Sequence, residues 1–403
     1  MGNKKGSTSV FLVFILTAII ALTAAFIHAA KQAAIASYGD GILNLAGRTV
    51  LSEFELEVKD RYGLFAFENS GKEVKARIKK DADYALQLNK DVRTTSVNIN
   101  FAGHSLGDTG ILKKEILTYM KFVLAENLIK DIPEQTGITE SGKDRTLRNR
   151  KIIDYLPSEP LKVSSPGFQE WLAGITDQLG SVEDFFDKSK DSYLLDKYIL
   201  LHFKNALGGS VKHDTFFSNE VEYILEGDYS NRKNKAEIRK GIVLLRSGLN
   251  AVYLYMDSEK RAQTLAAAEL ITPGPPALLT QAVIIGTWAL AEAENDARLL
   301  DKGRPVVFFK DKSAWATDLD SVLNNISEGC IDTGCDKGLS YQEYLMVFLH
   351  FENENLKLTR VMDLIQINMK GTYNRDFLIK TFHCGLQLNA EINGRKHRYE
   401  ITY

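Results

Sequence analysis

Three cysteines among 403 residues are too few for a disulfide scaffold of the kind that holds small secreted domains together. Charge is also sparing in one respect: Lys and Arg nearly balance Asp and Glu, the net charge is -2, and no long basic or acidic block occurs, so no nucleic-acid partner is inferred. Neither a phosphate-cradling loop nor a dinucleotide fingerprint is present, and no cofactor or small-molecule substrate is inferred. The seven histidines include His202, His213, His350 and His383, scattered without a partner at a diagnostic spacing. A zinc site built from Cys330, Cys335, His383 and Cys384 matches no usual ligand pattern. Cys330 and Cys335 bracket a turn-rich stretch, and the sequence leaves open whether they pair, because bridge geometry is not readable from spacing. Cys384 is expected as a small buried residue.

Against these absences stands one long apolar run. Lys4 and Lys5 precede residues 10–27, which carry no charge, proline or glycine. A bilayer-spanning helix needs roughly 17 to 25 such residues, whereas the apolar core of a cleaved signal is about 7 to 15. The run is therefore expected to be a retained signal anchor, with residues 10–30 in lipid. By the positive-inside rule residues 1–9 stay cytoplasmic and the rest is exported, giving a single-pass protein of the cell membrane. Thr17 and Thr23 are expected to bond back to helix carbonyls.

The rest of the chain reads as helix-rich α+β. Residues 29–59 carry an apolar stripe at three- and four-residue spacing, so the spanning helix is expected to project beyond the membrane as an amphipathic helix, with Gly39, Gly41 and Gly47 as weak points. Helices are expected over 73–88, 111–129, 235–256, 261–270, 341–351 and 356–369. Strands are expected over 94–101, 221–225 and 306–309. Residues 277–291 are apolar but too short for a second crossing, and read as a buried helix. Asn393-Gly394, between two alternating segments, predicts a terminal antiparallel hairpin. The proline-bearing stretch 135–166 reads as a linker or insertion, separating a membrane-proximal region (31–134) from an exported α+β domain (167–403).

Gly103-His104-Ser105-Leu106-Gly107 matches the nucleophile elbow of serine hydrolases. The upstream chain lacks the alternating strands and helices of that fold, and Asp108-Thr109-Gly110 separates Ser105 from the next helix. A Gly-rich turn is the preferred reading, and no catalytic residue is assigned. A membrane-tethered hydrolase using Ser105 and an exported ligand-binding module stand as alternatives to a structural role.

The opening Gly6-Ser7-Thr8-Ser9-Val10-Phe11-Leu12, the membrane run and a small-residue helix ending in Tyr62-Gly63-Leu64-Phe65 resemble the TadE/TadG-like proteins of tight-adherence (Tad), type IV-like pilus systems. The remainder is similar to an uncharacterised bacterial membrane-anchored family associated with such pilus clusters. The residues carrying that similarity are Glu222 and Tyr223 before Gly227, Arg246 and Asn250, Trp288 and Glu292, Trp315, Tyr341, then Arg360, Asp363 and Asn368. The resemblance implies a structural or assembly component of a pilus or envelope apparatus, with other pilus or envelope proteins as partners, and assigns no catalytic residue. One departure stands out: were Gly6 a prepilin cleavage site, Phe11 would occupy the fifth mature position, where pilins carry Glu. An anchored accessory subunit fits better than a major pilin. Arg246, Arg360 and Asp363 are expected to be buried and paired.

Overall fold

The computed structural model describes residues 5–68, 72–87, 94–127, 155–159, 190–208, 211, 213–324, 329–334 and 337–403. They form two compact units: residues 1–111 with 380–403, and residues 112–379. The chain thus returns to its first unit at its C-terminus. This grouping departs from the expected cut at 135–166, because the C-terminal hairpin pairs with a strand from residues 94–100. Most of the expected linker lies outside the described residues.

The first unit is organised by helix α1, Lys5–Leu51, which is unbroken. Its apolar N-terminal part is exposed, and it is the one described helix long and apolar enough to cross a membrane, as an anchor or as a signal sequence. Thr17 donates to the carbonyls of Val13 and Phe14, and Thr23 to that of Ile19, so both hydroxyls are satisfied within the helix. From Ile35 onward the helix is packed: Ile35, Leu43, Ala46, Val50 and Leu51 are buried with strand residues in one core.

Two of the three glycines expected to weaken α1, Gly39 and Gly47, serve its packing. A Cβ at Gly39 would collide with Ile392, and one at Gly47 with Ile401, both on the C-terminal hairpin. Eight residues apart, they lie on one helical face and let the helix backbone approach the sheet. His397 Nδ1 meets Asp40 Oδ1 at 2.8 Å on the same face. Short helix α2 (Leu56–Tyr62) follows, then strand β1 (Phe67–Glu68), α3 (Lys72–Gln87) and β2 (Thr94–Asn100). The C-terminus supplies β3 (Phe382–His383), β4 (Gly385–Ile392) and β5 (Arg395–Thr402). The three-stranded sheet runs β2-β4-β5, all antiparallel, and β1 pairs with β3. Asn393 (φ 49°) and Gly394 (φ 77°) turn β4 into β5, the positive angles that a two-residue hairpin demands. Inward positions of β4 alternate, with Leu386, Leu388, Ala390 and Ile392 buried.

Helix α4 (Thr109–Asn127) is followed, among the described residues, by α5 (Lys190–His202), α6 (Glu220–Glu226), α7 (Asn231–Met256), α8 (Ser258–Ile271), α9 (Ala277–Asp301), α10 (Leu319–Leu323), α11 (Tyr341–Phe351) and α12 (Glu354–Thr372). Two expected strands are absent. Residues 221–225 form α6 instead: every residue from Glu220 to Leu225 is buried, so the segment shows no polar face from which a helical period could be read. Val306 makes only an isolated bridge to Leu339, its carbonyl and N–H both used at 2.9 and 3.0 Å, and the segment does not continue as a strand. The expected buried helix at 277–291 is the first part of α9. Only one of its faces is inside.

Helices α7 and α9 run antiparallel, since Arg239 near the start of α7 pairs with Glu294 and Asp301 towards the end of α9. Ser340 opens α11 with a full capping box, bonded reciprocally with Glu343. Helix α12 is the centre of this unit: every residue from Leu356 to Lys370 is buried. A helix surrounded on all sides is normally apolar all round. This one contains Lys357, Arg360, Asp363, Gln366, Asn368 and Lys370.

Candidate functional site

The polar residues of α12 meet the short helix α6. Asn368 Nδ2 donates to Glu220 Oε1 at 2.6 Å, and its oxygen accepts from the Phe216 N–H at 2.8 Å. Tyr223 donates to Asp363 Oδ2 at 2.9 Å, while Asp363 Oδ1 accepts from the Ser158 N–H at 3.0 Å. Arg360 completes the contact at the other end of α6. Its Nη1 donates to the carbonyls of Ile224 (2.8 Å) and Leu225 (2.6 Å), and Nη2 to that of Glu226 (3.3 Å). A cation on the last carbonyls complements the helix dipole and satisfies acceptors that have no partner within the helix. Gly227 ends α6 at φ 75°, and a Cβ there would sit 2.7 Å from Arg360 Nη2, so glycine serves both the backbone and the space.

Glu222, one turn inside α6, accepts through Oε1 from the Ala206 N–H (2.9 Å) and from the Tyr341 hydroxyl (2.7 Å) of α11. Glu220 also accepts from the Lys204 N–H. Both carboxyls are fully buried, and burial pushes Glu220 up to about 7. Glu222 is raised for the same reason, Asp363 is pushed up to about 6 by burial, and the Tyr223 and Tyr341 phenols are held well above their usual range. On the far side of α12, Lys357 donates to Asp196 of α5 and to the Leu349 carbonyl.

A second buried cluster joins α7, α9 and the chain after α9. Arg246 Nε donates to Asp296 Oδ2 at 2.9 Å, its Nη1 to the Phe308 carbonyl and its Nη2 to Asn250. Lys310 pairs with both Glu292 and Asp296, so two cations balance two carboxylates in the interior. Glu292 also accepts from the N–H groups of Ala316 and Thr317, pinning the segment that carries Trp315. Trp315 stands edge-on to Trp288, and Lys260 Nζ lies 4.3 and 4.6 Å from the two ring centroids.

Of the positions singled out by resemblance, Glu222, Tyr223, Arg246, Asn250, Trp288, Glu292, Trp315, Tyr341, Arg360, Asp363 and Asn368 therefore fall in these two clusters. Tyr62 and Gly63 lie elsewhere, as the buried last residue of α2 and its left-handed cap (φ 67°), whose N–H reaches the Lys59 carbonyl. Sequence reasoning missed Glu220, Asp196, Lys357, Asp296 and Lys310. The available signal was the spacing Lys357, Arg360, Asp363 and the pair Glu292, Asp296, polar residues at helical intervals within otherwise apolar segments.

The Ser105 motif forms a turn between β2 and α4. Ser105 donates to the Lys380 carbonyl (2.9 Å) and accepts from the Gly107 N–H (3.1 Å). Asp108 Oδ1 receives the N–H groups of Gly110 and Ile111, starting α4 beyond the motif. His383 bridges Ser105 through the backbone, and burial pushes its imidazole down to about 4. Cys384 is buried with Sγ 3.3 Å from the His104 carbonyl. Cys335, and with it the pairing considered with Cys330, lies outside the described residues. Among the described residues no group of three or more His, Cys, Asp or Glu is placed to hold a metal ion.

What the two clusters do chemically is fasten helices: nearly every buried charge ends on a named protein group, and most of these bonds join different elements. No curated protein and no solved structure matches the chain. A family model matches residues 147–394, more than half of the chain and the whole of both clusters. The chain belongs to that family, a family of unknown function designated DUF5702.

Proposed function

We propose that this protein is a non-catalytic structural or assembly component of a Tad or type IV-like pilus or envelope apparatus. It is held by one spanning helix, with its N-terminus in the cytoplasm and its folded units outside. The reading rests on α1, one uninterrupted helix whose first part is apolar and exposed and whose second part is built into a domain core. Such a helix ties a folded unit rigidly to a bilayer, which an assembly subunit needs and a secreted catalyst does not. The Lys-bearing N-terminus sets the orientation, and the resemblance of the opening segment to TadE/TadG-like proteins supplies the apparatus. The polar interior supports a role in holding shape, since its groups are consumed in fastening helices.

Protease protection tests the reading on wall-stripped cells carrying a C-terminal epitope tag, with mass analysis of the retained N-terminus. Loss of the tag to external protease, with residues 1–30 still attached, is the expected result, followed by crosslinks to pilus or envelope proteins. A protected tag would overturn the topology. Cleavage after Gly6 would point to a true pilin instead. Ser105→Ala is expected to leave any cellular phenotype unchanged.

A further inference from the structure

The hairpin of α8 and α9 presents an apolar tip with nothing packed over it. Leu270 is 87% exposed, Leu279 75%, Val283 69%, Leu278 66% and Ile271 62%. Between Glu269 and Glu292 no residue carries a charge. Soluble surfaces rarely gather so many large apolar side chains without a partner.

The polar atoms of the tip identify which partner. A protein interface ordinarily offers hydrogen-bonding groups and charges at its rim, whereas hydrocarbon demands that polar groups be satisfied from within. Here the Thr280 hydroxyl bonds that of Thr272 (3.0 Å), and the Gln281 amide donates to the Arg261 carbonyl (2.9 Å) and to Thr264 Oγ1 (3.2 Å). Thr287 returns its hydroxyl to the Val283 carbonyl (2.9 Å). At the turn, Pro273, Pro275 and Pro276 have no N–H to satisfy, and the N–H groups of Thr272 and Ala277 bond the carbonyls of Ala268 and Gly274. The tip is charge-free, and Thr280, Gln281 and Thr287 spend their side-chain donors internally.

We infer that the α8–α9 tip inserts shallowly into a phospholipid bilayer, a second membrane contact separate from α1. Residues 277–291 are too few to cross, so the tip enters one leaflet and Leu270, Ile271, Leu278, Leu279 and Val283 exchange water for acyl chain. Glu269 marks the limit of entry on α8. The inference does not depend on the pilus reading or on the direction in which α1 is inserted.

The test uses the full chain in phosphatidylcholine vesicles, with Cys330→Ser and Cys335→Ser and an environment-sensitive fluorophore on Leu279→Cys or, as control, on exposed Arg298→Cys. The expected result is a blue shift at position 279 and quenching by nitroxide-bearing lipid severalfold stronger than at 298. A label at 279 that stays open to aqueous iodide and is untouched by the nitroxide lipid would overturn the inference. So would shielding from iodide without lipid quenching, which would signify a protein occupant such as a second copy. A label on Ile271→Cys combined with Leu279→Asp should lose lipid quenching while circular dichroism stays unchanged; retention of quenching would also overturn it.

Discussion

Helix α12 and the tip of the α8–α9 hairpin belong to the same unit and invert the usual order. The first buries a lysine, an arginine, an aspartate and an asparagine; the second exposes four leucines and isoleucines and a valine. The difference shows that pairing, rather than residue type, decides what this interior accepts. A buried charge is costly when alone and tolerable when bonded. Lys357, Arg360, Asp363 and Asn368 each have a counterpart on α5, α6 or a neighbouring loop, whereas the tip lacks any such counterpart for its apolar surface.

The comparison breaks most severely at Lys357. Lys357→Met would leave the fully buried Asp196 without its cation, at a cost of roughly 3–5 kcal/mol. A fall in denaturant midpoint of the purified chain, or failure to accumulate, checks it. The pH dependence comes next. Glu220 titrates near 4.5 when unfolded and near 7 when folded, so its contribution is fully present below pH 4.5 and is lost as pH rises through 7. The wild-type chain should lose on the order of 3 kcal/mol across that window from this group. Glu220→Gln should flatten the curve, as read from unfolding at stepped pH. Gly227→Ala attacks the cap through both its positive φ and the crowding against Arg360, and should cost about 1–3 kcal/mol in the same assay. At the other pole, Leu279→Gln should change unfolding stability by no more than about 0.5 kcal/mol, because the side chain has nothing to leave. A large loss there would mean that the tip is part of the core.

Local signals carried well from sequence to structure. The length of the apolar run, the Asn393-Gly394 turn and the bounds of α11 and α12 all depend on neighbouring residues. What was not legible depends on distance. Glu222 and Tyr341 are over a hundred residues apart, and nothing near either names the other. The same distance explains the misread α6: a short segment buried on every side shows no outward period, and its acids bond inward to α11, α12 and the chain around Lys204. Arg246, Arg360 and Asp363 were expected to be paired, and they are; their partners needed coordinates. Gly39 and Gly47 were read as helix weaknesses because the strands they accommodate lie more than three hundred residues away.

The continuity of α1 has a mechanical meaning. Because one helix is both the exposed apolar rod and a wall of the first unit's core, its azimuth is locked: whichever side of the rod faces a neighbour also dictates which side of the domain does. Adding one residue between Phe26 and Ile35 would turn the rod by about 100° and lengthen it by about 1.5 Å. Adding seven would restore the phase to within about 20° while raising the domain by two turns. Any neighbour that grips both parts would therefore respond to insertions with the periodicity of the helix, like a key that enters its lock only at certain angles.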